Sequence, residues 1–125
     1  MSENIVIAST ARTPIAKAYR GAFNDTQAQT LTGHVISNAI ERAGLAKEEI
    51  QDVIIGAALQ QGSTHMNIAR QGAIRAGLPT SVPGMSIDRQ CASGLMAIMC
   101  AAGRIIAGDI DVAVAGGVES ISLVQ

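Results

Sequence analysis

The residue best suited to chemistry is Cys91, in the run Ile87-Asp88-Arg89-Gln90-Cys91-Ala92-Ser93-Gly94-Leu95. Met85 to Asp88 reads as a short strand and Ala92 to Ala107 as a helix, so the cysteine falls on a strand-to-helix elbow. Free amide hydrogens and the positive end of the helix dipole gather at such a helix start, where they favour a thiolate, the nucleophilic form of cysteine. Small Ala92, Ser93 and Gly94 leave room for a substrate carbonyl, and the backbone N–H of Cys91 stands where it would bind the oxyanion formed on attack. Asp88 pulls the other way, because a nearby carboxylate disfavours a thiolate. Elbow geometry alone leaves a second reading equally open, in which Cys91 is a small buried packing residue. Cys100 lies deep in the apolar helix and reads as packing.

The elements that must position this elbow follow from periodicity. Asn4 to Ser9 is a β-branched run expected to form a first strand, followed by a long loop through Gly21. Ala28, Leu31, Val35, Ala39, Ile40 and Ala43 recur at helical spacing after Asp25 or Thr26 as N-cap, with Gly44 as the stop. Val53 to Gly56 is a second strand, Met66 to Ala76 a second helix, and Ile110 to Ala115 a fourth strand before Gly116-Gly117. Alternating strands and helices predict a mostly parallel sheet with helices packed on it, whose strand order the sequence leaves open. The helix at Leu95 to Ala102 is apolar almost all round, so one sheet covers only part of it and further protein is expected on the other side.

Composition narrows the function classes. The chain has 125 residues, 48% of them hydrophobic, and a formal net charge of −1, enough for a buried core and without the basic cluster that nucleic acid or an anionic membrane requires. Neither partner is expected. Leu95 to Ala107 is shorter than the ~20 residues of a membrane span and contains Arg104. The first residues carry no basic, apolar leader pattern, so reduced thiols in the cytoplasm are expected rather than a disulfide. Tyr19 and Phe23 are the only aromatics, which makes the core aliphatic. The glycines lack the spacing of a phosphate loop, and two cysteines without histidine or carboxylate spacing argue against a metal site.

Five blocks, Arg12-Thr13-Pro14-Ile15, Asn67-Ile68-Ala69-Arg70-Gln71, Gly77-Leu78-Pro79, Cys91-Ala92-Ser93-Gly94-Leu95 and Gly116-Gly117-Val118-Glu119-Ser120, occur in an order that resembles the thiolase family over almost the whole chain. The resemblance implies the N-terminal half of a layered αβαβα sandwich, spanning residues 1 to 125, cut before its end and lacking the C-terminal domain. It implies that Cys91 attacks a 3-ketoacyl or thioester carbonyl and carries the acyl group between coenzyme A thioesters. Those thioesters are substrates, and no other cofactor is implied. A histidine that activates the thiol and a second cysteine that shuttles the proton are implied downstream of Gln125, so the chain alone is expected to be inactive. A homodimer or homotetramer is implied, with Met85 to Asp88 at the dimer interface. Asp88 and Ala92 depart from the common asparagine and glycine or serine of the family.

The remaining candidates are weaker. His34 and His65, the only histidines, fall at no matching family position and are not expected to form a Cys-His dyad. Glu119 is either a general base or, more plainly, a hydrogen-bonded loop anchor. Arg70 and Arg89 would meet coenzyme A phosphates or serve as ordinary surface or paired arginines. Residues binding coenzyme A are not identified from the sequence. Two rival functions follow from the same features: a decarboxylating ketoacyl synthase on the same fold, and a non-catalytic thiolase-like lipid carrier or scaffold in which Cys91 only packs.

Overall fold

The computed structural model describes residues 5–124, which form three α-helices alternating with a three-stranded parallel sheet. In chain order the elements are α1 (Ala28–Ala43), β1 (Asp52–Gly56), α2 (Ile68–Arg75), β2 (Gly84–Ile87), α3 (Ser93–Ile106) and β3 (Ala113–Gly117). The strand order is β2-β1-β3, with Val53 beside Gly84 and Val114 across the two ladders. All five residues of β1 are buried, as expected of a central parallel strand covered on both faces. Its alternating side chains divide the core: Val53 and Ile55 face Ile36, Ile40 and Ile68 of α1 and α2, while Ile54 faces Ala97 and Ala101 of α3.

Both ends of α1 and the start of α2 are set by identifiable groups. Gly44 ends α1 in the left-handed conformation at φ 69°, and its amide donates back to Glu41 and Ile40. The cap position of α1 is Gln27, two residues past Asp25 and one past Thr26. Its first amide, at Ala28, donates to the buried Ser63 hydroxyl at 2.6 Å, so a distant loop replaces the local cap. Likewise α2 begins at Ile68, because Asn67 takes the cap position and its Oδ1 accepts the Arg70 amide hydrogen at 3.2 Å. Asn67 Nδ2 also donates to the Gly84 carbonyl at 2.8 Å, joining the start of α2 to the sheet edge.

Two strand expectations are corrected. Asn4 lies outside the described residues, and Ile5 to Ser9 form no strand: none of the described residues pairs with them in a ladder, and Val6 and Ile7 stay 75% and 73% exposed. The segment is tied instead to α1, through Ser9 Oγ on the Ala39 carbonyl at 2.5 Å and Arg42 on the Thr10 carbonyl at 2.8 Å. The last strand runs from Ala113 through both glycines rather than ending at Ala115. The Gln51 side-chain oxygen accepts the Asp111 and Val112 amides ahead of the strand, while Gly116 and Gly117 stand beside Ile55 and Gly56.

Both ends of α3 are fixed to β1. Near the C-terminal end, Arg104 pairs with the buried Asp52 at the start of β1 and, through Nε, with Asp109 at 2.7 Å. Only the inner face of α3 is covered, and Leu95, Ile98, Met99 and Ile106 are exposed on the other, as expected of an all-apolar helix on one sheet. No helix among the described residues is long and apolar enough to cross a membrane. Because Ile54 is fully buried where β1 meets α3, Ile54→Ala is expected to cost about 2–5 kcal/mol. Denaturant titration reads this as a lower midpoint at unchanged slope.

Candidate active site

The carboxyl ends of all three strands open on one side, and the loops leaving Gly56, Ile87 and Gly117 meet there. Residues 88–92 make the tight turn from β2 into α3. The Asp88 carboxylate accepts the Gln90 amide hydrogen at 2.7 Å, the Ala92 amide donates to the Arg89 carbonyl at 3.1 Å, and the Ser93 amide donates to the Gln90 carbonyl at 3.1 Å. Gln90 sits in the left-handed region at φ 51°, an uncommon conformation for a residue with a side chain. This bend places Cys91 on the outside of the turn, where it is exposed. Exposure separates it from Cys100, which packs half-buried against Ile54 and Ala97.

Cys91 borders an open cleft of about 210 Å³. Gln90, Cys91, Ser93 and Gly94 form one wall, and Gly56, Gly117, Val118 and Glu119 form the opposite one. The two walls meet through glycine backbones. A Cβ on Gly56 would lie 2.2 Å from the carbonyl carbon of Ser93, and one on Gly117 would lie 3.1 Å from Gly94 Cα. Ala92 caps α3 without any side-chain hydrogen bond, so no side chain occupies the cap and the amide-rich helix start faces the cleft region.

Glu119 is a loop anchor. Its Oε2 accepts the Ala58 amide hydrogen at 2.9 Å and its Oε1 accepts the Leu59 amide hydrogen at 3.1 Å. Val118 donates to the Gly56 carbonyl at 3.0 Å, so the loops after β1 and β3 move as one wall. The Asp88 carboxylate is turned onto the Gln90 amide.

The other sequence candidates lie elsewhere. His34 is exposed on α1, and His65 holds the Gly62 carbonyl through Nδ1; neither lines the cleft. Arg70 binds the Val82 carbonyl and, at 2.9 Å, the Thr80 carbonyl, an architectural role. Arg89 is exposed beside Met96. In the Arg12-Thr13-Pro14-Ile15 block, Arg12 binds its neighbour's carbonyl at 2.8 Å and Ile15 is 82% exposed. Among the described residues no group of three or more His, Cys, Asp or Glu side chains is placed to hold a metal ion. The sequence assigned no bonding role to Ser93 and no site role to Gln90 or Gly56. Gly56 was legible only as the end of an apolar run, and Ser93 only as a small residue.

With an exposed thiol at a helix start and backbone amides beside it, the arrangement suits nucleophilic attack on a carbonyl followed by covalent transfer. The family model described as thiolase, N-terminal domain, matches residues 5–125. The chain is 47% identical over 119 residues to an acetyl-CoA acetyltransferase of Cupriavidus necator, covering 95% of this chain and 30% of that protein. It is 40% identical over 119 residues to a 3-ketoacyl-CoA thiolase of Bacillus subtilis, again covering 95% of this chain and 30% of that protein. A solved thiolase of Ascaris suum, Acat5 in complex with coenzyme A, superimposes with TM-score 0.89 at 35% identity, over 95% of this chain and 31% of its own. The chain thus spans about 30% of the length of the curated relatives it matches.

Gly56→Ala tests the contact between the walls. The added methyl meets backbone on α3 and forces that helix start away, at an expected cost of about 1–3 kcal/mol. Alkylation of Cys91 by iodoacetamide, followed by peptide mapping, is expected to change in rate, whereas labelling of Cys100 is not.

Proposed function

The chain belongs to the thiolase family, and from that membership we propose that it supplies the nucleophile of acyl transfer to and from coenzyme A. The observation that carries the reading is the exposed Cys91 thiol on the elbow at the cleft, at the start of a helix whose cap position holds no capping side chain. In the thiolytic direction the Cys91 thiolate attacks the 3-keto carbonyl of a 3-ketoacyl-CoA, and the Cys91 backbone N–H stabilises the oxyanion. The C2–C3 bond then breaks, the departing enolate takes a proton to become acetyl-CoA, and the acyl group stays on Cys91 as a thioester. The thiol of coenzyme A gives up its proton and displaces the acyl group, which restores the Cys91 thiolate. The reverse sequence is Claisen condensation of two acetyl-CoA molecules.

The residues lining the cleft hold one thiol and a Glu119 carboxylate bound to two backbone amides, with no imidazole among them. On the family reading, the base that takes the Cys91 proton and the acid that protonates the enolate come from protein outside residues 1 to 125, and these residues act as an N-terminal thiolase domain that has no turnover by itself. Coenzyme A thioesters enter as substrates and no separate cofactor takes part. By the same family likeness a second copy docks along β2, one of the two outer strands of the sheet, with Met85 to Asp88 at the dimer interface; Met85 is 39% exposed there.

Peptide-mapped mass spectrometry after exposure of the complete protein to acetoacetyl-CoA is expected to find the acetyl group on Cys91. Cys91→Ala should lower thiolysis by at least about a thousandfold, and Cys100→Ala should leave it within a few-fold of the parent. Thiolysis retained in Cys91→Ala overturns the assignment.

A further inference from the structure

Two side chains hold the turn that presents Cys91: Asp88 on the Gln90 amide, and Ser93 from inside α3. Ser93 Oγ accepts the Arg89 amide hydrogen at 2.8 Å and donates its own hydrogen to the Gln90 carbonyl at 2.6 Å. It therefore holds the Asp88–Arg89 and Gln90–Cys91 peptide units, on either side of Gln90. Between those units Gln90 keeps φ 51°, a conformation that surrounding bonds must hold in place for a residue with a side chain. Ala92 contributes no cap bond that could do this instead. Ser93 is itself immobilised, being 4% exposed with its backbone against Gly56. Without the hydroxyl, the Arg89 amide loses its acceptor and the Gln90 carbonyl keeps only the Ser93 amide at 3.1 Å.

We propose that Ser93 is a positioning residue for the nucleophile: its hydroxyl latches the left-handed turn at Gln90, and so fixes the Cys91 thiol and backbone amide in the geometry of attack without touching substrate. The inference rests on Cys91 being the nucleophile. Misplacing a reacting group by about 1 Å costs on the order of a hundredfold in rate while leaving substrate contacts made elsewhere intact. Loss of the latch therefore lowers the acylation rate and spares KM.

The test uses the complete enzyme, with Ser93→Ala and Ser93→Thr compared by thermal unfolding and by single-turnover acetylation of Cys91 from acetoacetyl-CoA. Ser93→Ala is expected to acetylate Cys91 about tenfold to a hundredfold more slowly, with KM within about twofold of the parent. Ser93→Thr, which keeps the hydroxyl, is expected to recover to within a few-fold. A folded Ser93→Ala that acetylates at the parent rate overturns the proposal, as does a loss of rate matched by its unfolded fraction. If Ser93→Ala does not fold, Ser93→Thr decides: acetylation near the parent rate supports the latch, and a folded but slow Ser93→Thr overturns it. Acyl transfer retained in Cys91→Ala would instead remove the reading on which the inference rests.

Discussion

Everything at the cleft depends on how closely the start of α3 approaches the end of β1. Gly56 occupies the strand position whose side chain would point at α3, and a single carbon there would overlap the Ser93 backbone at 2.2 Å. Gly117 on the neighbouring strand repeats the constraint against Gly94 at 3.1 Å. Where side chains are absent, helix and sheet backbones come together, and the amide-rich helix start is held at the carboxyl edge of the sheet. The opposite end of α3 is secured by charge instead, through Arg104 on the buried Asp52. A helix fixed at both ends is a rigid support for a nucleophile on the turn that precedes it.

Around that contact the polar groups serve geometry. Asp88, Ser93 and Glu119 each carry oxygens suited to catalysis, and each directs them to backbone amides within the loops. Such bonds satisfy groups that the tight turns would otherwise leave unpaired, and they hold each wall in one conformation. The exposed thiol is left as the reactive group facing the opening. The uncovered apolar face of α3, including Leu95 and Met99, lies on the same helix, so the site and a large exposed apolar surface share one element.

Much of the framework was legible in advance because it depends on local pattern. Val53 to Gly56 read as a buried strand from its unbroken apolar run, and Gly44 read as a helix stop because a left-handed residue was needed there. The misreadings came where long-range partners prevailed over local propensity. Ile5 to Ile7 have the composition of a strand, but a strand exists only where a ladder accepts it. The start of α1 was misplaced because its cap, Ser63, lies 35 residues away.

The sequence by itself determined the chemistry on offer: one cysteine between a strand and an apolar helix, small residues after it, and ordered blocks that identify the family. These are properties of residue type and spacing, and they survive without coordinates. Only the tertiary structure decided which cysteine is open to solvent, that the Asp88 and Glu119 carboxylates are engaged by amides, and that Ser93 rather than a cap at Ala92 closes the turn. The Glu119 bonds join loops that follow strands two crossovers apart, and no local pattern encodes that distance, whereas the Asp88 and Ser93 bonds span only two to four residues. The physical reason is that solvent exposure, or a hydrogen bond between distant loops, is a relation between surfaces, which exists only after β2, β1 and β3 have aligned side by side.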